Sequence, residues 1–199
     1  MFSTDARVAF APETTYRALI AQTTLQPWRA LLRPALVLLV LAVSLPITAV
    51  HNITFDLVLR TAAMFSLIVL VQLAIGAVVI ATAPARPVSF SRALDLWFAG
   101  HLPYTLWILF LPLVMTVPIG PADSPHELMG VSVIAPLVWT AFIVGAFCRV
   151  VLGATPARAR RRVMLHMAMV LIVGVALAAW AAGGVAALSS YMLRRVNGL

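Results

Sequence analysis

Four ionisable residues stand within or beside long apolar stretches, and at these positions the sequence could carry chemistry: Asp95, His101, Arg149 and His166. A charge inside a bilayer is costly, so an ionisable residue in a membrane span is a candidate for function. A carboxylate paired with a guanidinium, with a histidine alongside, could bind a lipid headgroup, gate a proton path or dock a partner. The sequence therefore predicts a polar cluster in which Asp95 pairs with Arg149, with His101 or His166 beside them.

Each of these residues also has an explanation that needs no site. Asp95 and Arg149 stand at span ends, from which side chains can reach the headgroups without a partner. His166 suits a position at the membrane interface. His101 lies two turns deeper than Asp95, about 9 Å at ~1.5 Å per residue, and a histidine at that depth needs a hydrogen bond. Both explanations stay open for Asp95 and Arg149, whereas His101 requires a bonding partner.

The composition indicates an integral membrane protein. Of the 199 residues, 63% are hydrophobic and 10% are charged, and the mean hydropathy is +1.04. A soluble domain is about 45–50% apolar and about 25% charged, so a soluble fold could not bury this much apolar surface. The net charge of +8 comes from a chain whose cations are all arginine. In a protein with several spans, such a charge indicates loops that face anionic lipid rather than nucleic acid.

Five apolar stretches of span length predict an all-α fold, a polytopic membrane helix bundle. A span needs about 20 mostly apolar residues. We expect one domain, 1–199, in which residues 1–30 are a cytoplasmic or interfacial lead-in. There, Pro12 and Glu13 suit the first turn of a short amphipathic helix on the membrane surface. In the third span, Pro112 and Pro118 in addition to Pro103 predict an irregular helix. The predicted spans are residues 31–50, 60–83, 93–118, 128–152 and 163–190.

The connection between the last two spans carries sequence signals for helix ends. Gly153 follows the fourth span and is suited to a C-cap. Thr155 and Pro156 are suited to the N-cap and first turn of the fifth helix. That helix is therefore predicted to begin before it enters the membrane near Val163.

The placement of arginine predicts the orientation of the spans. Residues 1–33, 84–92 and 149–162 hold eleven of the fourteen arginines, whereas the loop 119–127 holds none. Because arginines favour the cytoplasmic side, the N-terminus and the basic turn at 149–162 are predicted to be cytoplasmic. The cations of that turn that we expect to contact anionic headgroups are Arg158, Arg160, Arg161 and Arg162.

Amide and small residues indicate where helices pack. Gln72 lies near the middle of the second span, where a glutamine usually bonds across helices. Gly174, Ala178 and Ala182 repeat at four-residue spacing in the fifth span, which permits two helices to approach closely. The opposing helix belongs either to this chain or to a second copy, and both remain open at this point.

The sequence contains none of the common catalytic or metal-binding motifs. G-x-x-x-x-G-K-[ST], H-E-x-x-H and G-x-S-x-G do not occur. Neither His101 nor His166 has a histidine or cysteine at a spacing suited to a shared metal. Cys148 is the only cysteine, so an internal disulfide is impossible and a small core side chain is expected. We therefore predict a protein that is not an enzyme, with no catalytic residue, no metal and no cofactor.

Four segments follow one another in an order that is typical of a known family: "FAPETTYRALI", "LRPALVLLVLAVSLP", "PVSFSRALDLWFAGHLPYTL" and "VWTAFIVGAFCRVVLGATPARARRRVMLHMAMVLI". In this order they resemble bacterial members of the Ypt-interacting-protein (Yip) domain family. The second span departs from the family, because "GAVVIATAPARP" stands where a glycine-rich exit is usual. The resemblance implies a five-helix bundle without established catalytic residues. The link of eukaryotic relatives to small GTPases and trafficking does not carry over, since this sequence shows no long acidic N-terminal region.

These observations favour a non-catalytic membrane scaffold or accessory subunit that acts by helix packing and lipid contact. Its expected partners are anionic membrane lipids and either other membrane proteins or a second copy, with no nucleic acid. The alternative is a small transporter or channel-like protein with a polar path beside Asp95, His101 and Arg149. A dry bundle would favour the scaffold, whereas a cavity that reaches His101 would favour transport. An intramembrane enzyme would need a second ionisable group bonded to His101 or Asp95.

The predicted topology can be tested with a single cysteine. In a Cys148→Ala background, an Arg160→Cys variant should resist an impermeant thiol reagent added to intact cells and react once the membrane is opened. This result follows from the cytoplasmic placement of the basic turn. Labelling of this cysteine from outside the cell alone would contradict the topology.

Overall fold

The protein is described here from a computed structural model, in which the chain forms two compact units, Met1–Val163 and Met164–Leu199. The structure describes residues 2–21, 29–50, 53–83, 87–116 and 132–196. Side chains are described throughout these ranges except at residues 2, 3, 29, 45, 48–50, 111–116 and 177–196.

The described residues form eight helices of nine or more residues and contain no β-strand. The all-α class predicted from the sequence is therefore confirmed. The helices are α1 (Phe2–Phe10), α2 (Pro12–Ile20), α3 (Arg29–Val50), α4 (Phe55–Ala81), α5 (Phe90–Ala99), α6 (Leu102–Thr116), α7 (Ile134–Val150) and α8 (Pro156–Val196).

The N-terminal lead-in is more ordered than the sequence indicated. Helix α2 begins at Pro12 as predicted, but α1 precedes it as a second helix. Tyr16 on α2 is almost fully buried, and its ring meets that of Phe147 on α7 at a centroid distance of 5.8 Å. The Tyr16 hydroxyl donates to the carbonyl oxygen of Leu96 at 3.3 Å. The lead-in is therefore packed against the other helices and is not a detached surface helix.

The predicted third span is divided into two helices, α5 and α6, at Gly100 and His101. The N–H of Gly100 donates to the carbonyl of Trp97 at 3.0 Å, and that of His101 donates to the carbonyl of Phe98 at 3.2 Å. These three-residue spacings tighten the last turn of α5. Pro103, which has no N–H, is accommodated in the first turn of α6, where that N–H has no partner within the helix. The predicted irregularity of the third span is confirmed in this form.

Helix α4 is the one helix of the described residues that is long and apolar enough to cross a membrane by length and composition. Over 27 residues its most apolar window has a mean hydropathy of 2.6. Shorter apolar segments occupy Ala30–Ser44 in α3 and Ile134–Val150, which is α7. The protein is thus helical, with one candidate membrane-spanning helix, and a bundle of five spans stays a prediction.

The predicted signals between α7 and α8 are found in the structure. Gly153 has φ of 62°, a left-handed conformation that glycine adopts without strain. Helix α8 begins at Pro156, and the N–H of Arg158 lies 3.5 Å from the hydroxyl oxygen of Thr155. Cys148, near the end of α7, is fully buried, as expected for a small core side chain.

Side-chain contacts bring the arginine-rich segments of the first unit to one end. Arg33 near the start of α3 pairs with Asp95 in α5, and Arg149 at the end of α7 pairs with Glu13 in α2. Arg162, near the start of α8, bonds the C-terminal end of α4. The sequence placed these segments on a common side, and the contacts agree. The assignment of that side to the cytoplasm stays a prediction.

The unit Met164–Leu199 consists of the remainder of α8 and the residues after it. Ile172 and Val175 are largely exposed on this helix. At Gly174 an added Cβ would meet no described atom within 4 Å. The side chains of Ala178 and Ala182, predicted to pack with Gly174, lie outside those the structure describes. Neither their packing role nor the prediction of a single domain, 1–199, is tested.

Gly76 on α4 offers a test of the packing between α4 and α5. A Cβ added there would lie 2.6 Å from Nε1 of Trp97, whose ring is also packed against Phe147 and His101. Gly76→Ala should lower the free energy of unfolding by about 1–3 kcal/mol through overpacking. Gly174→Ala is the matched control and should be neutral or stabilising by up to about 1 kcal/mol. Equal effects of the two variants, measured by denaturation in detergent, would contradict this packing.

Candidate functional site

The carboxylate of Asp95 is the centre of a buried group of charges. Asp95 lies on α5 with only 3% of its surface exposed. Its Oδ1 accepts from Nη1 of Arg33, and its Oδ2 accepts from Nη1 of Arg92 at 3.2 Å. Arg92 and Asp95 are three residues apart, so they lie on one face of α5. Asp95 thus joins its own helix to α3.

Arg33 extends this group to the N-terminal helix. Its Nε donates to Oδ1 of Asp5 on α1 at 2.9 Å, while its Nη1 also reaches the carbonyl oxygen of Asp95 at 3.3 Å. The side chain of Arg33 is only 13% exposed, and Asp5 is buried. We call Asp5, Arg33, Arg92 and Asp95 the ion network. Its two cations and two anions cancel, which a buried set of charges requires.

The second cation of the ion network ties down α2. Nη2 of Arg92 donates to the carbonyl oxygen of Leu19 at 2.8 Å, near the C-terminal end of that helix. The last carbonyls of a helix lack partners within it, and a guanidinium supplies one. The ion network therefore connects four helices: α1, α2, α3 and α5.

Burial shifts the protonation equilibria at the edge of the ion network. Desolvation raises the pKa of Asp5, and the Arg33 guanidinium opposes this by attraction and by its hydrogen bond. Desolvation also lowers the pKa of Arg92, with the like charge of Arg33 acting in the same direction. Neither charge would be tolerated here without its counterion.

The predicted pairing of Asp95 with Arg149 is corrected by the structure. The Arg149 guanidinium bonds Oε1 of Glu13 on α2, from Nε at 3.2 Å and from Nη2 at 2.5 Å. This hydrogen-bonded pair lowers the pKa of Glu13. The side chains of Arg149 and Glu13 are 38% and 44% exposed, whereas Asp95 is buried. Asp95 instead takes both of its cations from α3 and α5, because those helices are adjacent where it is buried.

His101 bonds the backbone at the break between α5 and α6. Its Nδ1 donates to the carbonyl oxygen of Trp97 at 2.9 Å, and the two rings lie 4.8 Å apart. That carbonyl is available to the side chain because the backbone N–H of His101 bonds Phe98 instead. The hydrogen bond that the depth of His101 requires is therefore supplied by its own helix.

His166, the fourth predicted member of the polar cluster, lies in the unit Met164–Leu199 and is buried. Its part in a cluster stays a prediction. Among the described residues, no group of three or more His, Cys, Asp or Glu side chains is arranged to hold a metal ion.

The four predicted headgroup contacts fall into two kinds. Arg158, Arg160 and Arg161 are exposed on the first turns of α8. Arg162 turns inward and caps α4: it bonds the carbonyl oxygen of Val79, and its Nη2 donates to that of Thr82 at 2.5 Å. The helix C-terminus attracts a cation because its last carbonyls are unsatisfied. Arg162 therefore caps α4, and its contact with lipid stays a prediction.

Gln72 on α4 borders a cavity, and its predicted bond across helices stays a prediction. Its buried Oε1 has no hydrogen-bond partner among the described residues. The cavity has a volume of about 60 Å³ and is lined mainly by apolar side chains of α3, α4, α5 and α6. Arg33 and His101 also line it. One member of the ion network and one predicted site residue thus border the same space.

Sequence reasoning missed most of the ion network. Neither Arg33 nor Asp5 was among the residues that the sequence indicated for a site. The spacing of Arg92 and Asp95 was the one available signal, since residues at i and i+3 of a helix are neighbours. Nothing local in the sequence relates Asp5 to Arg33, because that contact depends on how α1 packs.

The chain stands without a match in any of the three comparisons with known proteins. No protein-family model matches it, and no curated protein or solved structure does so either. The resemblance to the Yip domain family is accordingly untested, and the site is interpreted from its own geometry.

The ion network can be tested by removing one charge. Asp95→Asn leaves Arg33 and Arg92 buried without their shared anion and should reduce the free energy of unfolding by about 3–5 kcal/mol. Asp56→Asn removes half of an exposed ion pair with Arg60, whose side chains are 70% and 77% exposed, and should cost at most about 1 kcal/mol. Chemical denaturation in one detergent measures both. Comparable small losses would show that Asp95 is not a structural counterion.

Proposed function

We propose that the chain is a non-catalytic membrane scaffold or accessory subunit: a five-span, Yip-like helical bundle in a bacterial inner membrane. Its N-terminus and basic turn face the cytoplasm in this proposal. It acts by presenting helix faces to neighbouring proteins and cations to anionic lipid. The observation that carries the proposal is the ion network. Its buried charges pair with one another and hold four helices together.

The ion network supports a structural role because its charged groups are already paired with one another. A catalytic or transport group must exchange partners with a substrate, yet Asp95 is bound by two guanidiniums and is almost fully buried. Arg92 uses a further donor on the Leu19 carbonyl. Removing any one of these groups would leave an uncompensated charge, so the arrangement favours rigidity over exchange.

The apolar faces of α4 and α7 support contact with lipid or with a partner helix. Phe55 is 84% exposed and Phe142 is 72% exposed. Large apolar side chains exposed in this way favour an apolar environment. In a bilayer that environment is acyl chains or the helix of another protein, as the scaffold requires.

The basic turn at the start of α8 supports the lipid contact. Arg158, Arg160 and Arg161 are exposed, so their guanidiniums remain available to phosphate groups. Each cation near an anionic membrane surface contributes about 1 kcal/mol. Arg162, the next residue, uses part of its guanidinium to cap α4.

A small transporter or channel-like protein is the second candidate, and one observation favours it. The cavity beside Gln72 reaches His101 and Arg33, inside the predicted bundle. Its lining is mostly apolar, which does not suit a hydrated ion. Asp95 and Arg149, which the sequence placed on the same path, are committed to separate ion pairs.

Native mass spectrometry after gentle extraction tests the scaffold and its lipid contact. The full chain should appear in an assembly with a second copy or another membrane protein, and it should retain anionic lipid. A variant with Arg158, Arg160 and Arg161 replaced by Gln should retain less anionic lipid. The matched control replaces Arg60, which is exposed and lies away from that turn, and should leave lipid retention unchanged.

Two outcomes of this experiment would contradict the proposal. A lone monomer would count against the scaffold, and equal lipid retention by the Arg158, Arg160 and Arg161 variant would count against the basic turn as a lipid contact. Reconstitution in liposomes addresses the second candidate, because a scaffold should give no flux of water, protons or ions above that of empty vesicles.

A further inference from the structure

We propose that the cavity bordered by α3, α4, α5 and α6 is a binding site for water, with the carboxamide of Gln72 as its polar anchor. The ligand class is water. This inference goes beyond the scaffold role and does not depend on it, since a bundle can hold internal water whether or not it transports anything.

The cavity has room for water. Its volume of about 60 Å³ exceeds the ~10–15 Å³ that one bound water needs on the same measure. The cavity also lies within one compact unit, because the residues that line it all precede Val163.

Gln72 supplies the reason for water to enter. Its Oε1 is buried and lacks a partner among the described residues, and it lies on α4, the candidate membrane-spanning helix. A buried polar atom without a hydrogen bond is strongly disfavoured, and more so where no bulk water is near. Water can both donate and accept, so it satisfies the carboxamide in either orientation.

Other polar side chains on the same wall distinguish this cavity from a dry one. Arg33, His101, Tyr104 and Thr105 line it together with Gln72. A wholly apolar cavity stays empty, whereas a bound water needs two to four polar partners. The remaining lining residues are apolar, so these five side chains decide whether the cavity is hydrated.

Hydration here also bears on the ion network. Arg33 borders the cavity while it bonds Asp5 and Asp95. Water beside a guanidinium reduces the cost of burying its charge, because it restores part of the lost solvation. The cavity thus places water against the one cation that the two carboxylates share.

Water-edited and lipid-edited NMR on the full chain in lipid nanodiscs, with ¹⁵N-labelled glutamine, tests the proposal. The Gln72 side-chain signal is assigned by its loss in Gln72→Leu. We expect magnetisation to reach that amide from water protons much faster than from acyl-chain protons. The matched control is Leu70→Gln, which places the same amide on an exposed face of α4 and should receive magnetisation mainly from acyl chains.

A second variant tests whether the water lies in this cavity. Val69→Phe fills the cavity from a neighbouring lining position and should abolish the transfer from water at Gln72 while the protein still elutes as a folded species. Transfer to the wild-type Gln72 amide only from acyl chains, or from neither source, would overturn the proposal. Persistence of the water signal in a folded Val69→Phe protein would also overturn it, because the water would then lie outside this cavity.

Discussion

The guanidinium of Arg33, held between the carboxylates of Asp5 and Asp95, is the interaction on which the rest of the first unit depends. A buried cation must have its charge cancelled, and here one anion comes from α1 and the other from α5. Arg92 then balances the second negative charge and bonds the end of α2. Because an unpaired charge would be costly at this depth, the requirement of neutrality fixes which faces of the N-terminal helices meet α3 and α5.

Apolar side chains pack closely beside the ion network. Trp97, two residues beyond Asp95, is almost fully buried and lies against Phe147 on α7 and Gly76 on α4. The glycine matters because any side chain there would meet the indole. Tyr16 completes the same layer from α2, with its ring on Phe147. Charge neutrality and close packing thus meet within one turn of α5, and both also involve α2.

The break between α5 and α6 gives His101 its position. Since the chain is irregular there, the Trp97 carbonyl accepts from the imidazole as well as from Gly100. The histidine also borders the cavity beside Gln72. A residue that the sequence marked as requiring a partner therefore finds its hydrogen bond in the helix end, and its ring also faces the space in which we propose water.

The sequence by itself determined the helical class, the apolar α4, the start of α2 at Pro12, the irregular third span and the cap at Gly153, because these follow from local periodicity, proline and glycine. Tertiary structure alone decided which charges meet. Asp95 lies far along the chain from both Asp5 and Arg33, and no local pattern distinguishes Arg33 as its partner from Arg149. Ion pairing between helices depends on which faces are buried together, and burial is a property of the packed molecule.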